Sequence, residues 1–193
     1  MNFFAAFQSE VFRPLVTLLI PGALALSSWL IALTWRFQSL KSVMAGHTSE
    51  TYLILFFVIT CLGIVIEDLG ARIELHFDKL ANQKTDGKHD EQWFGYLRTA
   101  FVSEPIGRGY IRSLVLRLKF QIGILLSSIV AGLGVVWLMF LGLDCKGGIL
   151  LILLAAASGA WHYHAVHDIH QTLARNRMNL AGDIRIVESE KHK

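Results

Sequence analysis

The chain has 193 residues, 53% hydrophobic and only 17% charged, with a mean hydropathy of +0.48. A soluble domain of this length carries about 25% charged residues, so a single water-soluble core is excluded, and a net charge of +3 is too small to mark a nucleic-acid binder. The apolar residues gather in four blocks almost free of charge, which read as membrane spans.

The opening stretch MNFFAAFQSEVFR holds one acid, Glu10, and one base, Arg13. Phe3, Phe4, Phe7 and Val11 fall at helical spacing, which suits a segment lying on the membrane surface. Pro14 to Trp35 then runs 22 positions without a charge, enough to span at ~20 residues. No basic cluster precedes it and the apolar run exceeds a signal-peptide core, so a retained span is expected rather than a cleaved leader. Pro21 and Gly22 predict a kink. Ala23 and Ser27 form a small-xxx-small pair suited to helix packing.

The second block, Thr51 to Ile66, has 16 residues between Glu50 and Glu67. It covers about 24 Å at 1.5 Å per residue, short of a hydrocarbon core of about 30 Å, so Glu67 and Asp68 are drawn to the inner edge. Ile66, Leu69, Ile73, Phe77 and Leu80 continue an apolar stripe at near-heptad spacing, so the helix should run on to about Leu80. NQKTDGKHD reads as a polar loop. In EQWFGYLRTAF, Trp93, Tyr96, Leu97, Ala100 and Phe101 share one helical face. Pro105, Gly107 and Gly109 end that helix, and a new one starts near Arg108 and enters the membrane as the third span.

The third block, Phe120 to Leu143, carries Gly123, Ser127 and Ala131 four apart, with Ser128 and Gly132 beside them. The five residues LDCKG force an antiparallel hairpin with the fourth block, Gly147 to His167, where Ala155 and Gly159, and Ala156 and Ala160, are spaced alike. Lipid provides no hydrophobic drive between helices, so such small faces are the expected packing surfaces. Val166, Ile169, Leu173 and Leu180 extend the fourth helix inward, with Gly182 as its predicted stop and 183–193 as a mobile tail. Cys61 and Cys145 fall at different depths, which disfavours an internal disulfide.

Orientation follows from the bases. With the N-terminus inside, 15 of the 18 Lys and Arg residues lie on the inner side. The expected fold is all-α: an integral membrane protein with four transmembrane helices at about 14–35, 50–67, 120–143 and 147–167. Both termini would be cytoplasmic. Helical extensions over 68–119 and 168–182 would form a cytoplasmic layer. The expected location is a bacterial cell (inner) membrane.

WHYHAVHDIH, residues 161–170, holds four of the eight histidines. Counting along the second and fourth spans puts it at the depth of Glu67 and Asp68. His164, His167 and Asp168 share a helical face, while His162 and His170 point elsewhere. Three readings follow. The favoured one is an interfacial collar with ordinary ion pairs, Asp68 with Arg72, Arg112 or Lys119. A gating or pH-sensing site would use Glu67, Asp68, His164 and His167, because histidine titrates near neutral pH. A zinc or iron site would use His164, His167, Asp168 and Glu67. Arg108, Arg112 and Lys119 share a face of the third helix; they would grip anionic headgroups or an acidic ligand, or serve only as positive-inside anchors, the favoured reading.

The sequence has no internal repeat, phosphate loop, CxxC pair or nucleophile elbow. The layout is similar to that of small four-pass membrane subunits in bacterial multi-gene systems, anti-phage ones included, at the level of architecture only. The function expected is a non-enzymatic membrane component, a sensor, pore or effector subunit. It would assemble as a homo-oligomer in the lipid bilayer and couple it to a cytoplasmic protein partner, with no cofactor and no nucleic acid. The alternative is a metal-dependent membrane enzyme or redox protein built on the His/Asp/Glu cluster. A proton-coupled transporter ranks third, because the spans hold few mid-membrane polar groups.

Overall fold

The computed structural model describes the backbone of residues 3–84, 106–142 and 144–191, and the side chains of 16–80, 82–83, 110–142 and 144–176. Its elements are α1 (Phe3–Arg36), α2 (Gln38–Gly46), α3 (Thr48–Lys84), α4 (Ile106–Phe140) and α5 (Cys145–Lys191). Four of these helices are long and apolar enough to cross a membrane, over Val16–Arg36, Thr48–Leu80, Tyr110–Phe140 and Cys145–Asn176. The protein is an all-helical, multi-pass membrane protein in contact with the lipid bilayer.

Several boundaries depart from expectation. α1 is one helix from Phe3 to Arg36, longer than the expected span 14–35. α2 occupies the connection between the first two spans, where no element was foreseen; it buries none of its nine residues. α3 runs on to Lys84 rather than stopping near Leu80. α5 passes through Gly182 to Lys191. A glycine inside a helix costs only about 1 kcal/mol relative to alanine, and no proline follows Gly182 to enforce a stop. Most of the expected loop after α3, and the helix around Trp93, lie outside the described residues. The α4–α5 connection is as short as LDCKG implies: Gly142 takes a positive φ of 103°, and the Asp144 carboxylate accepts a hydrogen bond from the Gly147 amide at 3.1 Å, capping α5.

The chain divides into two compact units, Met1–Gly70 with Lys119–His164, and Ala71–Leu118 with Ala165–Lys193. In the first, α4 is the central helix. Half of its span window is buried, against 28% for α1, 17% for α3 and 6% for α5. The sequence of α4 explains this. Gly123, Ser127, Ser128, Ala131 and Gly134 are all buried and keep its surface low where neighbours cross. Gly123 sits against Pro21 and Ile66, Gly134 against Ser28 and Trp29, and Gly132 opposite Ala155. α1 is bonded to α4 directly: Ser28 Oγ donates to the Ala131 carbonyl at 2.8 Å and Trp29 Nε1 to the Val130 carbonyl at 3.0 Å.

α1 and α3 approach each other closely at Gly22 and Gly63. The small pair Ala23 and Ser27 is exposed instead. The helix packing for which that pair is suited is carried by the adjacent Gly22, which has no side chain to keep the α1 and α3 backbones apart. α3 and α5 leave leucines, isoleucines and aromatics exposed, among them Leu53, Phe57, Leu150, Leu153 and Trp161. Such a surface is at home in lipid.

Among the described residues of the second unit, those buried are Ile111, Leu114 and Leu118 from α4, and Val166, His170 and Leu173 from α5. The α3 stripe is shifted in phase from the expected one. Leu69 and Leu80 are exposed, whereas Ile66 and Gly70 are buried and Ile73 and Phe77 half-buried. A heptad count assigns the inward position to Leu69; the smaller Gly70 takes it and admits the Ile122 side chain at 3.1 Å from where a β-carbon would stand.

Candidate functional site

The polar groups of α5 divide by face. His162, Val166, His170 and Leu173 step by four, four and three, so they lie in one line along the helix. Val166, His170 and Leu173 are buried and His162 is half-buried. His164, His167 and Asp168, with Gln171 and Arg175 continuing their line, are all exposed.

In the first unit, His162 Nδ1 meets Gln121 Oε1 of α4. Because an amide oxygen only accepts, Nδ1 carries the hydrogen in this contact. Two residues earlier on α4, Lys119 Nζ lies 3.4 Å from Glu67 Oε1 of α3, with both side chains about 40% exposed. α4 thus offers one polar residue to each neighbour within a single turn. Ionisable groups at this depth are expected to be paired, and this one is.

In the second unit, His170 Nε2 lies 3.1 Å from Asp78 Oδ1. The imidazole is 11% exposed and the carboxylate 32%. The ring also packs on Phe77, centroids 5.7 Å apart. Asp78 accepts a hydrogen bond from neutral imidazole and forms an ion pair with imidazolium, so the contact persists in both protonation states but differs in strength.

The residues singled out in the sequence fall as follows. Glu67 pairs with Lys119, a cross-helix ion pair of the type expected for Asp68, which is itself exposed. His164 is exposed, its ring edge-on to Tyr163. His167 Nε2 bonds Gln171 Nε2 of its own helix at 2.9 Å, and Asp168 contributes its backbone carbonyl to Thr172 Oγ1 at 2.8 Å. Glu67 and His164 belong to the first unit and His167 and Asp168 to the second. Among the described residues no group of three or more His, Cys, Asp or Glu is placed to hold a metal ion. Arg112 is exposed, and the Arg108 side chain lies outside the described residues. Gly123, Ser127 and Ala131 are buried in the helix contacts; Ala155 and Gly159 are half-buried, facing Gly132 and Leu125 of α4.

Sequence reasoning sorted the histidines onto the right two faces and then attended to the outward one. The signal that picks the inward face was present: Val166 and Leu173 accompany His162 and His170, while Gln171 and Arg175 accompany His164 and His167.

Comparison with protein-family models, with curated proteins and with solved structures finds no match to this chain.

Proposed function

We propose that this protein is a non-enzymatic membrane component that self-assembles and couples the bilayer to a cytoplasmic partner. The observation that carries the reading is helix length. α3, α4 and α5 have 37, 35 and 47 residues, or about 55, 52 and 70 Å at 1.5 Å per residue. A hydrocarbon core needs about 30 Å. Each helix therefore extends some 20–40 Å beyond the membrane without a break, and each contributes residues to both compact units. The excess of Lys and Arg supports a topology in which the extensions and both termini are cytoplasmic, as in a bacterial inner membrane.

Self-assembly is supported by the outward side of α5, whose span window is only 6% buried and which exposes Ala156, Ala157 and Ala160. Small outward residues let a second helix approach closely. The test is mass measurement in mild detergent and in lipid discs, with cysteine mapping in intact cells. A defined homo-oligomer is expected, with a cysteine at Gly87 shielded from an impermeant label added outside. A monodisperse monomer in both media, or labelling of that cysteine from outside, would defeat the reading.

A further inference from the structure

Within the first unit a cleft of about 330 Å³, open on one side past Ile31, Leu151 and Leu154, lies between α1, α4 and α5, lined by apolar side chains and by four serines: Ser27, Ser28, Ser128 and Ser158. The hydroxyl protons can be followed one by one. Ser27 donates to the Leu24 carbonyl at 2.7 Å and Ser28 to the Ala131 carbonyl at 2.8 Å. Ser128 and Ser158 have only each other, Oγ to Oγ at 3.3 Å. Two hydroxyls carry two protons, and one contact uses one of them. The other has no acceptor among the described residues, although Ser128 is only 4% exposed. Both serines stand well inside charge-free spans, where lipid tails offer no acceptor.

We propose that this cavity is an intramembrane binding site for water, anchored on the Ser128–Ser158 pair. A buried water requires a polar site, room for about 30 Å³ per molecule and two to four partners. The cavity has space for several. A water accepting the spare serine proton finds acceptors in Ser27 and Ser28, whose oxygens keep lone pairs after their own protons are used. Ser128 also lines a second groove, between α4 and α5, with Gly132 and Gly159.

The test is radiolytic hydroxyl-radical labelling of the full chain in lipid discs, read by peptide mass spectrometry. Radicals made from bound water oxidise adjacent side chains that bulk solvent does not reach. Val135 and Leu138 line the cavity and are buried; Ile122 and Ile124 are buried elsewhere. After correction for intrinsic reactivity, Val135 and Leu138 should be oxidised several-fold faster than Ile122 and Ile124. The double variant Ser128→Ala/Ser158→Ala should bring them down to the control rate, and Ser158→Thr, which keeps the hydroxyl, should not. Equal rates in the unaltered protein would overturn the site, a result that requires no variant to fold. Labelling that persists in a folded double variant would overturn the role of the serine pair.

Discussion

Gly22 of α1 and Gly63 of α3 bring their helices so close that a β-carbon on either would overlap the other helix's backbone. The obstacle is the Ile59 carbonyl oxygen for Gly22 and the Leu18 carbonyl oxygen for Gly63. A backbone atom cannot rotate aside as a side chain can. Each of Gly22→Ala and Gly63→Ala should therefore force the helices apart, at about 1–3 kcal/mol by analogy with overpacked cores. Gly46→Ala is the control, because nothing lies within 4 Å of a β-carbon there. Thermal melting in one detergent should show clear losses for the first two and none for the third. Equal melting of all three would refute the close contact.

That contact shows where the sequence was legible and where it was not. The spans were readable because a stretch of about twenty uncharged residues has few other uses. α2 was not, since nine residues with only Leu40, Val43 and Met44 as large apolar side chains are too few to mark a helix in a connection. Gly22 was noticed as a kink-former and Gly63 not at all, because its partner is more than forty residues away and a glycine's use in packing depends on what faces it. The same holds for Gly70, which displaces Leu69 from the inward position. Helical periodicity says which residues share a face, and the apolar companions Val166 and Leu173 mark the inward face of α5; at Gly70 the choice comes from the facing helix.

The Glu67–Lys119 contact should contribute little. At 3.4 Å and about 40% exposure, it resembles surface pairs worth about 0–1 kcal/mol. A double-mutant cycle with Glu67→Gln and Lys119→Gln should return a coupling within that range. A coupling several times larger would mean that the pair is desolvated by lipid or by a second copy.

The His170–Asp78 pair should matter more. Its imidazole is nearly enclosed, so removing the acceptor leaves a buried donor unsatisfied, at about 1–3 kcal/mol. Asp78→Ala should lower the melting temperature clearly, and His170→Ala should lower it further through the lost contact with Phe77. If both variants melt with the unaltered protein, the pair does not fasten α3 to α5.

The outward histidines should behave differently. His164 and His167 are exposed, and their described contacts stay within α5, to Tyr163 and Gln171. In the collar reading they need only be polar and fit the interface, so His164→Gln/His167→Gln should leave melting, assembly and metal content unchanged. In a zinc or iron site the same change removes two of about four ligands and should strip the ion. In a gating role it should preserve the fold and abolish any response to pH. Glu67→Gln sharpens the comparison. It should copy the double histidine variant if the groups act together, and otherwise cost no more than its ion pair with Lys119. The geometry favours the second outcome, because Glu67 already has a partner on α4 and the exposed histidines lie on the face of α5 away from its buried line. Elemental analysis of the purified protein decides the matter independently of any variant. Stoichiometric zinc or iron that is lost with the two histidines would replace the collar with a metal centre.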